Sequence, residues 1–132
     1  MTLDRLAMRC IAAGALLMLA SVMLGAFGAH SLQSVLTPKQ LSSYVTGVTY
    51  QQFHSIGLIL VGVIAQATPP SPWLRRAAVL FGIGIPFFSG SIYAMTFGAP
   101  RWLGMIAPIG GVLFMLGWAA LAAHAFRAPG RR

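Results

Sequence analysis

The stretch WLGMIAPIGGVLFMLGWAALAAHAF, Trp102 to Phe126, contains no Asp, Glu, Lys or Arg. As a helix rising 1.5 Å per residue it reaches about 37 Å, enough to cross a hydrocarbon core of roughly 30 Å. Pro108 and the glycines inside it weaken a helix in water, but lipid leaves the backbone no other way to satisfy its hydrogen bonds. Three further uncharged runs, Ile11 to Ala29, Tyr44 to Ala67 and Ala77 to Ala99, have the same character. The expected fold is therefore an all-α membrane protein: a four-transmembrane-helix, up-down-up-down bundle in a single transmembrane domain over residues 1–132. Its spans lie at about 8–29, 44–67, 76–99 and 102–126.

Composition agrees with this reading. Hydrophobic residues make up 58% of the chain and charged ones 8%, too few to cover a soluble globule. The net charge of +8 does not indicate a nucleic-acid binder, because the basic residues stand singly or in pairs between apolar runs. Their distribution reports topology instead. Arg5, Arg9, Arg75, Arg76, Arg127, Arg131 and Arg132 fall on one side of a four-span arrangement, Lys39 and Arg101 on the other. The positive-inside rule then makes both termini cytoplasmic. The first span has the basic start and small-residue end of a secretory signal, but it is long for one, and its removal would spoil the charge split. It is read as an uncleaved helix. Cys10, the single cysteine, is a small core residue outside any lipobox or metal-ligand spacing.

The connections carry their own punctuation. In TPKQ, Thr37 can cap a helix, Pro38 suits its first position and Gln40 completes a capping box, so the second helix is expected to begin near Pro38 and to bend at Gly47. TPPSPWLRR is a stiff connection with Trp73, Arg75 and Arg76 at headgroup height, and GAPRW is a tight turn. FGAH and FGAP, at matching ends of spans one and three, are a faint echo of duplicated hairpins, but three matching small or common residues are weak evidence for duplication. Close packing in lipid relies on small residues. Those expected to supply it are Ser21, Gly25 and Ala29 on span one, Gly82 and Gly90 beside Pro86 on span three, and Ala107 and Gly111 on span four.

The polar residues of the spans are few. Span two carries YQQFHS, with Tyr50, Gln51, His54 and Ser55 at helical spacing, and span three carries FFSGSIY, with Ser89 and Tyr93 one turn apart. His30 ends span one. Threading puts His30, Tyr50, Gln51, His54, Ser89 and Tyr93 in the outer half of the bundle, with His30 as the lid of one polar cluster. Such a cluster serves either as an interhelical hydrogen-bond set or as a site for a solute, ion or proton; a haem held by His30 and His54 is a weaker alternative. His124 is an interfacial residue. Asp4 is the only carboxylate side chain and lies at the terminus, so the spans hold neither a carboxylate relay nor a Ser-His-Asp triad. No catalytic, cofactor-binding or metal-binding residue is assigned.

LGAFGAHSL, YQQFHSIGLIL, FFSGSIY and APIGGVLFMLGW occur in this order over nearly the whole chain. Together they resemble the YgdD-like family of small inner-membrane proteins of unknown function. In that family glycine commonly follows the first histidine, where this chain has Ser31. The resemblance implies a multi-pass protein of the bacterial inner (cytoplasmic) membrane and brings no activity with it. The functional expectation is a non-catalytic accessory or scaffold protein among membrane lipids, working as a homo-oligomer or within a larger membrane complex. The alternative is a small-solute channel or transporter with its polar site in the outer half of the bundle.

Overall fold

The computed structural model describes residues 2–127, so Arg131 and Arg132 of the charge split lie outside the described residues. Four helical rods run antiparallel to their neighbours in sequence. The first is α1, Thr2–Phe27, extended by a wide π-turn over Gly28–Leu32. The second is α2, Pro38–Ala67. The third joins α3, Pro72–Ile85, through a π-turn at Pro86–Gly90 to the short α4, Ser91–Thr96. The fourth opens with a 3-10 turn, Arg101–Met105, and continues as α5, Ile106–Arg127. Each rod is long and apolar enough to cross a membrane.

Local chemistry sets the helix ends. The Thr37 hydroxyl accepts from the Gln40 backbone N–H at 3.3 Å, and the Gln40 side-chain oxygen accepts from the Thr37 N–H at 3.0 Å, completing the capping box expected from TPKQ. Ser71 caps α3 by accepting from the Trp73 N–H, with Pro72 at the first helical position. After α4 the Ala99 N–H reaches the Ala94 carbonyl and the Gly98 N–H the Met95 carbonyl, a Schellman stop. Gly98 holds φ at +96°, where a side chain would be strained, and Pro100 prevents continuation.

Pro86 has no N–H to give to the preceding turn, and the helix widens there rather than stopping. Ser91 repairs the distortion: its hydroxyl reaches the carbonyls of Phe87 at 2.7 Å and Phe88 at 2.9 Å. Pro108 sits in the first turn of α5, just past the 3-10 segment, where the missing N–H does least damage.

Two seams hold the rods in pairs. Ala7, Gly14, Ser21 and Gly28 recur every seventh residue on the first rod and face α2. A methyl group on Gly14 would lie 2.6 Å from the Ser55 carbonyl oxygen, and one on Gly62 would lie 2.7 Å from the Ala7 carbonyl oxygen. Backbone touches backbone here, as lipid-embedded helices require for strong dispersion contact, and the seven-residue period keeps the seam on one side of both helices. The second seam fits rings into notches. Phe81 of α3 fills the space above Gly117, Phe114 of α5 fills that above Gly84, and Gly110 lies against the backbone of Phe88.

α2 joins the pairs. Gly57 accommodates the Phe81 ring, and Gly47 accommodates Tyr93 and Ile92. Gly47 therefore does not bend α2, which runs unbroken; its missing side chain is what lets the third rod approach. Several expected notches are also replaced. Ala29 is exposed, Gly82 has open space where a side chain would go, and Gly90 and Gly111 meet neighbours only at ordinary contact distance. The tightest notches are Gly14, Gly28, Gly62, Gly84, Gly110 and Gly117, because rotation about each helix axis is set by the partner rather than by local spacing.

Candidate functional site

Contacts along the first seam set the relative heights of residues on α1 and α2. Gly14 is level with Ser55 and Ala7 with Gly62, so His30 stands level with residues near Leu41. It is then about 20 Å above His54 along the axis. His30 is exposed, within the π-turn that ends the first rod. The expected lid over His54 is thus not formed, and a haem bridging His30 and His54 is excluded by the separation. The extra turns from Pro38 to Tyr44 account for the difference: they lengthen α2 outward and leave His54 near its middle.

The structure brings Gln51 and Tyr93 together directly. The Gln51 amide donates to the Leu17 carbonyl of α1 at 2.9 Å, and its oxygen accepts from the Tyr93 hydroxyl at 2.8 Å. One side chain, 4% exposed, therefore ties the first three rods. Ser89 makes a parallel link, donating to the Gly47 carbonyl at 2.7 Å. Ser55 donates to the Gln51 carbonyl one turn earlier in its own helix.

Tyr44 belongs to the same side of α2 and was not among the expected residues. Its ring is fully buried, lies 5.5 Å from that of Tyr93, and its hydroxyl donates to the Leu24 carbonyl at 2.6 Å. The signal for it in the sequence is weak, a tyrosine seven residues before Gln51 at the edge of an apolar run.

Tyr50 and His54 point elsewhere, towards α3 and α5. Tyr50 is 41% exposed and lies against Phe88, with centroids 4.6 Å apart. His54 stacks on Phe114, centroids 3.4 Å apart and planes within 7°. Its Nδ1 is 2.6 Å from the Tyr50 carbonyl, and its Nε2 accepts from the Trp118 indole N–H at 3.1 Å. A carbonyl only accepts and an indole N–H only donates, so the proton resides on Nδ1 and the lone pair on Nε2. His54 is a neutral imidazole with both nitrogens engaged. Trp118 is the partner that the motifs did not suggest; its indole N–H in mid-membrane needs an acceptor, and His54 is the one in reach. At the far end His124, also buried, has its Nε2 3.4 Å from the Thr68 hydroxyl.

The expected cluster is therefore two sets on adjacent sides of α2, roughly 60–100° apart around its axis. One holds Tyr44, Gln51, Ser89 and Tyr93; the other holds Tyr50, His54, Phe114 and Trp118. Among the described residues, every buried side-chain nitrogen and oxygen has a hydrogen-bond partner.

The family described as "Protein of unknown function (DUF423)" matches residues 24–111. The chain belongs to this family. A UPF0382 membrane protein of Staphylococcus haemolyticus is 43% identical over 117 residues, covering 89% of this chain and 94% of the relative. A UPF0382 membrane protein of Haemophilus influenzae is 42% identical over 106 residues, 80% of this chain and 84% of the relative. The UPF0382 inner membrane protein YgdD of Escherichia coli is 35% identical over 106 residues, 80% of each chain. No solved structure matches the chain. The resemblance in the motifs is thus a relationship over most of the sequence, and this DUF423 protein is a multi-pass protein of the bacterial cytoplasmic membrane. The DUF423 match includes Leu24, Tyr44, Gln51, His54, Ser89 and Tyr93, and stops before Phe114 and Trp118.

Proposed function

We propose that the protein is a non-catalytic accessory or scaffold of the membrane, acting as a homo-oligomer or as a subunit of a larger membrane complex. The observation that carries this reading is the internal closure of its polar groups. Gln51, Ser89 and Tyr93 each hydrogen-bond to a neighbouring helix, and His54 engages both ring nitrogens, with the Tyr50 carbonyl and the Trp118 indole. A catalytic acid, base or nucleophile needs an atom free to meet substrate, and a solute path needs polar atoms turned toward water. In this chain the same atoms fasten helices.

One surface open to a partner is the outer side of the first and fourth rods. Leu16, Leu19 and Met23 on α1, and Met115 on α5, are all more than half exposed and point away from the bundle. In lipid such faces associate through shape and dispersion. Photo-crosslinking residues placed at Leu19 and at Met115, activated in intact membranes, test this. The expected result is a discrete product from at least one position, either a dimer of this chain or one stoichiometric partner. Crosslinks to lipid alone, together with a strictly monomeric protein in mild detergent, overturn it. Solute flux through liposomes that is abolished by Gln51→Leu and Tyr93→Phe would replace it with the channel reading.

A further inference from the structure

At the arginine-rich end of the bundle an open groove of about 540 Å³ runs between α3 and α5. Its walls are apolar, formed by Val79, Leu80, Leu116 and Ala119, while Trp73, Arg75 and Arg76 stand at its mouth. Two guanidinium groups lie over the one indole: Arg76 Cζ is 4.5 Å and Arg127 Cζ 4.6 Å from the Trp73 ring centroid. They are therefore within about 9 Å of each other, where like charges beside a low-dielectric phase repel. Arg75 and Arg76 also belong to the opening of α3, the positive end of the helix dipole, where cations are disfavoured. Between residue 5 and residue 127 the sequence holds no carboxylate side chain.

We propose that this groove binds one anionic phospholipid, with its phosphodiester held by Arg75, Arg76 and Arg127 around Trp73 and one acyl chain laid along Val79, Leu80, Leu116 and Ala119. The charge pattern selects the occupant. A phosphodiester accepts paired hydrogen bonds from guanidinium groups, relieves their repulsion and faces the helix opening favourably. A zwitterionic lipid brings the same phosphate but adds a cation to a site that already has three, so the net charge of the headgroup decides the preference. The apolar walls distinguish a lipid from a free anion, since only a molecule with a hydrocarbon tail uses both halves of the site.

The test uses the full chain in phosphatidylcholine vesicles containing a small fraction of chain-brominated lipid, which quenches nearby tryptophan. The Trp73 signal is the difference between wild type and Trp73→Phe. At equal mole fraction, brominated phosphatidylglycerol is expected to quench that signal several-fold more than brominated phosphatidylcholine. The preference disappears in Arg75→Gln/Arg76→Gln/Arg127→Gln and falls in Ala119→Phe, which fills the groove and leaves the charges. Equal quenching by the two lipids in wild type overturns the proposal and leaves Trp73 and its arginines as interfacial anchors. Because that comparison needs no variant, it stands even where the triple substitution impairs folding. An undiminished preference in a folded triple variant, or loss of the wild-type preference on adding inorganic phosphate at constant ionic strength, also overturns it.

Discussion

Gly14→Ala sets the packing of the first pair of rods against the intrinsic gain in helix propensity. The new methyl carbon would lie 2.6 Å from the Ser55 carbonyl oxygen, 2.7 Å from Ile59 Cγ1 and 3.1 Å from the Ile59 backbone nitrogen. The Ile59 side chain can rotate, but the Ser55 backbone cannot yield. Restoring a contact of about 3.5 Å moves α1 away from α2 by about 0.9 Å. A gap of that size forfeits a quarter to a half of the dispersion energy of each atom pair along the seam. It also stretches the bond from Gln51 to Leu17, now 2.9 Å, beyond the useful range. The expected cost is about 1–3 kcal/mol, the usual penalty for overpacking.

Gly82→Ala is the matched control, because nothing lies within 4 Å of the methyl it would add, and propensity alone makes it neutral or favourable. Both variants are unfolded in mixed micelles of mild detergent with increasing dodecyl sulfate, followed by far-ultraviolet circular dichroism. Gly14→Ala should unfold at a clearly lower dodecyl sulfate fraction than wild type, and Gly82→Ala at the same fraction or a higher one. If the two variants unfold together, the backbone seam is not what holds α1, and the register derived from it fails.

Gln51→Leu and Tyr93→Phe should each destabilise the bundle, and a double-mutant cycle should return a coupling of about 0.6 kcal/mol, with roughly 1.7 as an upper bound; additive effects would show that the 2.8 Å bond contributes nothing. For His54, nitrogen-15 spectra of the protein in lipid should show a neutral ring protonated on Nδ1, and Trp118→Phe should shift the Nε2 resonance; a ring protonated on Nε2 contradicts the Tyr50 and Trp118 pairing. The arginine distribution predicts that both termini lie in the cytoplasm, so a fluorescent reporter fused after Arg132 should shine and an exported phosphatase there should stay inactive; the opposite pattern reverses the topology.

The features legible in the sequence are those that belong to one segment at a time. Four uncharged runs reveal four rods, since a run such as Trp102 to Phe126 has no soluble alternative. Thr37, Pro38 and Gln40 announce the start of α2 because capping is settled within four residues. Gln51, Ser89 and Tyr93 stand out as residues that need partners inside lipid, and they find them. The partners themselves lie on other helices: the Leu17 carbonyl for Gln51, the Leu24 carbonyl for Tyr44, the Trp118 indole for His54. Which pairs form depends on axial register and on rotation about each helix, and neither is a property of one segment. Here both follow from where glycine meets backbone or ring, Gly14 on Ser55 and Gly117 on Phe81. The seven-residue recurrence of Ala7, Gly14, Ser21 and Gly28 is present in the sequence, but small residues are so common among its apolar runs that only the facing helix distinguishes a seam from its background. Tertiary contact alone therefore decides which carbonyl or ring Tyr44, Gln51 and His54 meet, because lipid offers no hydrophobic gain to prefer one rotation, and close fit between backbones makes the choice.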